Sequence, residues 1–229
     1  INKVFKNKKI FVEKPLFHKF KNIKNIKNNI FVGFNMRNLK IIKFLKQFIK
    51  KNKNKIYEIN FINHSYLPSW RKNIDYRKSS SAQKKYAGGV ILDCSHEIDL
   101  AKWILGDIDL DYVSKSKNSK LKINTEDNCK ILGKHKKINV SIDLNYYSMQ
   151  KQRKINVYGE NFKMSVNLVA ADILIYKNKK VFKKKFNIND MNKSYYLELK
   201  YLLKNKKNFL TNYNSALSTQ KFIQQIVDF

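Results

Sequence analysis

Cysteine is nearly missing from this chain, with 2 in 229 residues, no Cys-x-x-Cys pair and no histidines at ligand spacing. That excludes a disulfide framework and leaves no metal site to expect, while two thiols without an evident partner, Cys94 and Cys129, suit a reducing cytoplasm. Cys94, inside an apolar helical stretch, is expected to be a small buried residue. Glycine is also scarce. The 6 glycines include no Gly-x-Gly-x-x-Gly turn after a strand, so the usual cradle for a dinucleotide pyrophosphate is missing. No apolar run reaches the length of a membrane span, the longest candidate lying around residues 166–176, and no signal-peptide pattern opens the chain, so no membrane partner is expected.

Acidic residues number 17 against 48 basic ones, for a formal charge of +31. Only Arg37, Arg71, Arg77 and Arg153 are arginines, the type favoured for bidentate phosphate and base contacts. The excess is lysine, accompanied everywhere by Asn, Ile, Phe and Tyr, which fits a compositional bias and not a focused binding stripe. No specific nucleic-acid partner is expected, only weak and salt-sensitive binding to polyanions. With 43% apolar and 13% aromatic residues the chain has enough to bury a core, which argues against disorder.

Apolar runs at residues 10–12 and 30–34 read as strands, and residues 39–49 as a helix with Ile41, Ile42, Leu45 and Ile49 on one face. Residues 55–63 alternate as a strand. The long segment 64–87 reads as a functional loop, carrying His64, Trp70 and Arg71, with Trp70 either a packed anchor or a ligand contact. Strand-like runs then recur near Tyr112 and at 128–132, 138–147, 154–158, 162–166, 173–176 and 181–186, spaced for a largely antiparallel sheet. Helices predicted at 195–203, with Leu199, Leu202 and Leu203, and at 215–227, with Leu217, Phe222 and Ile226, are available to cover one face of it.

The stretch 88–106 holds the densest chemistry. Helical spacing brings Asp93, His96 and Asp99 within reach of one another, and far upstream the run 10–12 ends at Glu13-Lys14-Pro15. Oxidising a secondary alcohol needs a base for the hydroxyl proton and a group that steadies the alkoxide. His96 suits the first role and Lys14 the second, with Asp93 and Asp99 fixing the imidazole tautomer. Each residue also has a structural reading: a lysine in solvent, a helical histidine satisfied in the core, two solvated carboxylates.

The ordered set of residues 10–16, the run Phe31-Val32-Gly33-Phe34-Asn35-Met36-Arg37, then Tyr66 to Arg71, Asp75-Tyr76-Arg77 and the stretch 88–106 resembles the Gfo/Idh/MocA-type oxidoreductases, in particular a subset associated with sugar or sugar-nucleotide metabolism. The resemblance implies an α/β protein: a carboxy-terminal remnant of a Rossmann dinucleotide-binding domain over residues 1–38, then an α+β domain over 39–229 with a large, mostly antiparallel open sheet covered by helices on one face. It further implies an amino-terminally truncated NAD(P)-dependent oxidoreductase of a sugar-like substrate, with Lys14 and His96 catalytic. Glu13, Lys14 and Pro15 would meet the NAD or NADP cofactor, and Asn35, Arg37, His64, Trp70 and Arg71 the substrate. A cis bond at Lys14-Pro15 and a homo-oligomer formed through the open sheet are implied as well. Loss of the cofactor half would instead leave a noncatalytic binding or assembly domain.

Overall fold

Two short apolar runs, β1 (Lys9–Val12) and β2 (Asn29–Val32), pair in parallel with Ile10 opposite Ile30 and Val12 opposite Val32. The computed structural model describes residues 6–21, 23 and 26–229, so the first five residues of the predicted 1–38 segment lie outside the described residues. Between β1 and β2 the described residues form no helix, since Lys19, Lys21 and Lys27 leave little apolar surface to bury.

A single 3-10 turn (Asn35–Asn38) leads into α1 (Lys40–Asn52), which buries Ile41, Ile42, Leu45 and Ile49, the face its periodicity predicts. β3 (Ile56–Tyr66) runs past the predicted strand end, which moves His64 from the expected loop onto the strand. The loop proper starts at Leu67 and is built from single-turn helices at Leu67–Ser69, Tyr76–Lys78, Ser80–Ala82 and Lys84–Tyr86. The predicted helix after it is broken at Cys94 into α2 (Val90–Asp93) and α3 (Ser95–Leu105).

Then follow β4 (Asp109–Ser116), β5 (Asn128–His135), β6 (Ile138–Asn145), β7 (Tyr147–Gly159), β8 (Phe162–Asn167), β9 (Asp172–Lys177) and β10 (Lys180–Lys185). They join β3 in an eight-stranded open sheet of order β10-β9-β8-β7-β3-β6-β5-β4, antiparallel at every pair except β3–β6, where Glu58 lies opposite Asn139 and His64 opposite Asn145. The two-residue period turns Phe61, Ile131, Ile142, Ile155 and Met164 inward onto Leu45, Ile98 and Leu100 from the helices, in one continuous core. Tyr112, Leu132, Tyr176 and Val181 stay exposed on the sheet.

The first of the last two helices departs from expectation. α4 (Asp190–Leu203) does not cover the sheet: it packs on the turn Asn35–Asn38, buries only Ser194 and Glu198, and leaves Leu199 and Leu203 in solvent. The dipeptide β11 (Thr211–Asn212) pairs antiparallel with β2, extending the small sheet to β1-β2-β11. α5 (Tyr213–Asp228) then bridges the two layers. Ala216 packs with Val32 and Phe34 of the small sheet's cluster, while Phe222 and Ile226 enter the large core.

Candidate active site

A pair of glycines sets the site's geometry. A Cβ on Gly88 would sit 2.1 Å from the carbonyl oxygen of Ser80, and Gly89, at φ +119°, would drive one to 2.2 Å from the Glu126 carboxylate. That close approach lets Glu126 accept from the amide of Ile91 and starts α2. One turn later the helix breaks at Cys94. The amide of Glu97 turns to the carbonyl of Cys94, and the carbonyl of Asp93 receives Lys14 Nζ at 2.6 Å. Lys14 stands at the carboxyl end of β1, where the Lys14-Pro15 bond is cis.

His96 occupies the first turn of α3, buried, with its ring edge-on to Phe34 at 5.9 Å and its Nδ1 without a hydrogen-bond partner. Burial first, then the positive charges of Lys14, Arg153 and Arg37, hold this imidazole well below its ordinary value. It is therefore neutral near pH 7 and able to accept a proton. Lys14 uses one of its three donors on Asp93.

The two aspartates do not fix the imidazole as expected. The break at Cys94 separates Asp93 from His96, and the Asp93 carboxylate accepts the Tyr146 hydroxyl at 2.5 Å. Asp99 is held by Arg37 through Nε at 2.8 Å and Nη2 at 2.5 Å, and by the Thr219 hydroxyl at 2.8 Å. Its carboxylate thus accepts three hydrogen bonds from within the protein.

Arg37 and Asn35 do not meet a substrate as expected, for the same reason. The Arg37 guanidinium lies near the Phe34 and Trp103 rings, spends its donors on Asp99 and Ser215, and is buried. Asn35 is fully buried and donates to the Ser194 hydroxyl at 2.9 Å. Both have their hydrogen-bonded donors committed inside the protein, and Asn35 Oδ1 is buried without a partner. His64 also misses the site: its neighbour Asn63 reaches inward to Glu97, so the period of two turns His64 to the other face, 3.2 Å from Asp143. Trp70 and Arg71 remain accessible, lining a small cleft with Pro68 and Ile74, and Trp70 meets Tyr146 edge-on at 5.2 Å. Glu13 lies beside Gly33, its carboxylate 3.4 Å from where a Cβ there would be.

Three participants went unforeseen. Glu97, buried, pairs with Arg153 at 2.6 Å and accepts from Asn63; the only sequence hint was the rarity of arginine. Tyr146 is wholly buried, and the doubled Tyr146-Tyr147 interrupting a strand alternation was its trace. Glu198, on the buried side of α4, has an unpartnered Oε1; burial, then the Glu13 carboxylate, push its carboxyl up to about 8 against the pull of Arg37. Nothing in the sequence marked it.

Ligands of parallel sheets bind beyond the carboxyl ends of the strands. Lys14 follows β1 there, Gly33 follows β2, and the His96 imidazole, its Nδ1 unpartnered, feels the Lys14 charge, a set of residues that fits the nicotinamide end of a dinucleotide. The pyrophosphate end finds no glycine-rich turn in this chain.

No curated protein matches the chain. Among solved structures it is similar to the WlbA dehydrogenase from Bordetella pertussis in complex with NADH and UDP-GlcNAcA, at 17% identity and a TM-score of 0.72 over 96% of this chain and 69% of that one. It is similar also to an inositol dehydrogenase homolog complexed with NAD+ from Azotobacter vinelandii (11% identity, TM-score 0.74, 95% and 69% covered). A third is an oxidoreductase from Agrobacterium radiobacter in complex with NAD+, L-tartaric acid and magnesium (15% identity, TM-score 0.71, 93% and 68% covered). These likenesses establish a shared fold. The family model for the GFO/IDH/MocA C-terminal domain matches residues 45–165, more than half of the chain, and the protein therefore belongs to the GFO/IDH/MocA family.

Proposed function

We propose that this chain carries the substrate-binding part of an NAD(P)-dependent oxidoreductase that moves a hydride between nicotinamide and a hydroxyl or keto group of a sugar or sugar-nucleotide-like substrate. The observation that supports this reading above others is the meeting of Lys14, at a strand's carboxyl end, with the α2–α3 break that presents a buried, neutral His96. The bound nicotinamide supplies the hydride chemistry. His96 accepts the hydroxyl proton, the remaining donors of Lys14 steady the same oxygen, and Trp70 and Arg71 contact the rest of the substrate. In this reading residues 1–38 are the end of a dinucleotide-binding domain and 39–229 the substrate domain, with 211–212 returning to the small sheet.

A second reading is a noncatalytic binding or assembly domain. One experiment separates them. The chain, and a form extended upstream by a glycine-rich strand-turn-helix, are titrated with NAD+ and NADP+ and assayed for reduced nicotinamide against a panel of sugars and sugar nucleotides. Turnover in the extended form supports the oxidoreductase; cofactor binding in neither form favours the domain without chemistry.

Two further expectations belong to this reading. The exposed face of the large sheet, with Tyr112, Leu132 and Tyr176, serves as a homo-oligomer interface, and sedimentation showing a monomer at high concentration contradicts it. The buried free thiols of Cys94 and Cys129 suit a cytoplasmic location.

A further inference from the structure

Tyr146 lies at the junction of β6 and β7, and several contacts fix it. Its amide donates to the carbonyl of Asp127 at 2.9 Å, its carbonyl accepts from the amide of Leu67 at 2.9 Å, and its ring meets Trp70 edge-on. The side chain is completely buried and its hydroxyl donates to Asp93 Oδ2. Burial first, then the Asp93 carboxylate, hold the phenol well above its ordinary value, so it stays a donor throughout the physiological range. Asp93 therefore faces two ways: its carboxylate serves Tyr146 and its backbone carbonyl serves Lys14.

We propose that Tyr146 is a positioning residue for Lys14: by keeping the Asp93 carboxylate on its phenol, it leaves the lysine amine held by a neutral carbonyl and free of a carboxylate partner. The proposal rests on the reading of Lys14 as the group that holds the reacting oxygen. An ammonium locked to a carboxylate is a weaker donor to a third oxygen and gives up its proton less readily, since the opposite charge favours the charged form. A carbonyl orients the same amine without that penalty. Removing the phenol oxygen strips the Asp93 carboxylate of its donor while Lys14 already touches the same residue. The carboxylate then turns to the lysine. Because Trp70 of the exposed cleft abuts the Tyr146 ring, the arrangement also links the loop after β3 to the lysine through two side chains.

The test reads amine reactivity in this chain and needs no cofactor or turnover. Lys14 acetylation by acetic anhydride is followed by peptide mass spectrometry at several pH values, with the other lysines of the digest as internal reference. Tyr146→Phe is expected to slow Lys14 relative to them by about threefold or more, and adding Asp93→Asn to restore the parent rate. An unchanged rate in Tyr146→Phe, or a double variant as slow as the single one, overturns the proposal. Should Tyr146→Phe fail to fold, Asp93→Asn alone decides: with the carbonyl as partner the Lys14 rate stays at the parent value, and a change of about threefold or more contradicts the account. Failure of the oxidoreductase reading shows instead in the turnover of Lys14 variants, so the two results are distinguishable.

Discussion

Lys14 and Asp93 meet across 79 positions of sequence, the lysine Nζ donating to the aspartate's backbone carbonyl at 2.6 Å. This single bond ties the end of the small parallel sheet to the broken helix that carries His96, near enough for the lysine charge to act on the imidazole. Arg37, Asp99, Ser215 and Thr219 pair with one another in a buried polar floor, while Asn35 Oδ1 and Glu198 Oε1 are left without partners.

Arg37 and Asp99 form the centre of that floor. Asp99→Ala leaves the buried Arg37 guanidinium without its carboxylate and is expected to cost about 3–5 kcal/mol in urea unfolding. Arg77→Ala, at an exposed arginine paired with a partly exposed Asp75, leaves the midpoint where it was. Equal effects of the two substitutions would remove Asp99 from the floor.

Glu198 makes stability depend on pH. Its carboxyl titrates near 8 in the folded protein against an ordinary 4.5, so the folded state holds the proton more tightly than the unfolded one. Stability contributed by this group is complete below pH 4.5 and falls as pH rises through the window to 8, by at most about 5 kcal/mol. Glu198→Gln is expected to flatten that slope, gaining on the parent protein between pH 5 and pH 8. Parallel stability curves for the two proteins rule the mechanism out.

His96 should behave in the opposite sense. Its folded value lies well below 6.5, so the unfolded chain binds the proton first and this group's contribution to stability declines as pH falls below 6.5. In an NMR titration its ring signals are expected to hold steady down through pH 6.5. A protonation step at or above that value contradicts a neutral buried base.

Much of the scaffold could be read in the sequence because local periodicity carries it. Ile41, Ile42, Leu45 and Ile49 repeat at helical spacing and are buried, and Cys129 and Ile131 alternate with the exposed Lys130 and Leu132 as β5 requires. The site was only partly legible. His96 and Lys14 stood out through their neighbours, but the break at Cys94 shifts the phase between Asp93 and His96, which spacing on an unbroken helix does not reveal. Arg37 and Asp99 lie 62 residues apart, and Asn35 meets Ser194 across 159; such pairings follow from how the layers stack and leave no local pattern. α4 misled for a related reason. Its leucines suggest a covering face, yet the side that docks is the polar one with Ser194 and Glu198, because the surface it meets is the Asn35–Asn38 turn and not the sheet.

The central claim is that Lys14 and His96 act together on one oxygen, and its most direct measurement is turnover of Lys14→Ala, His96→Ala and the double variant in a form joined to a dinucleotide-binding half. Each single variant is expected to lose about two to four orders of magnitude, and the double variant about as much as the worse single one, as residues acting as a unit do. Single variants that both turn over within about threefold of the parent contradict the account.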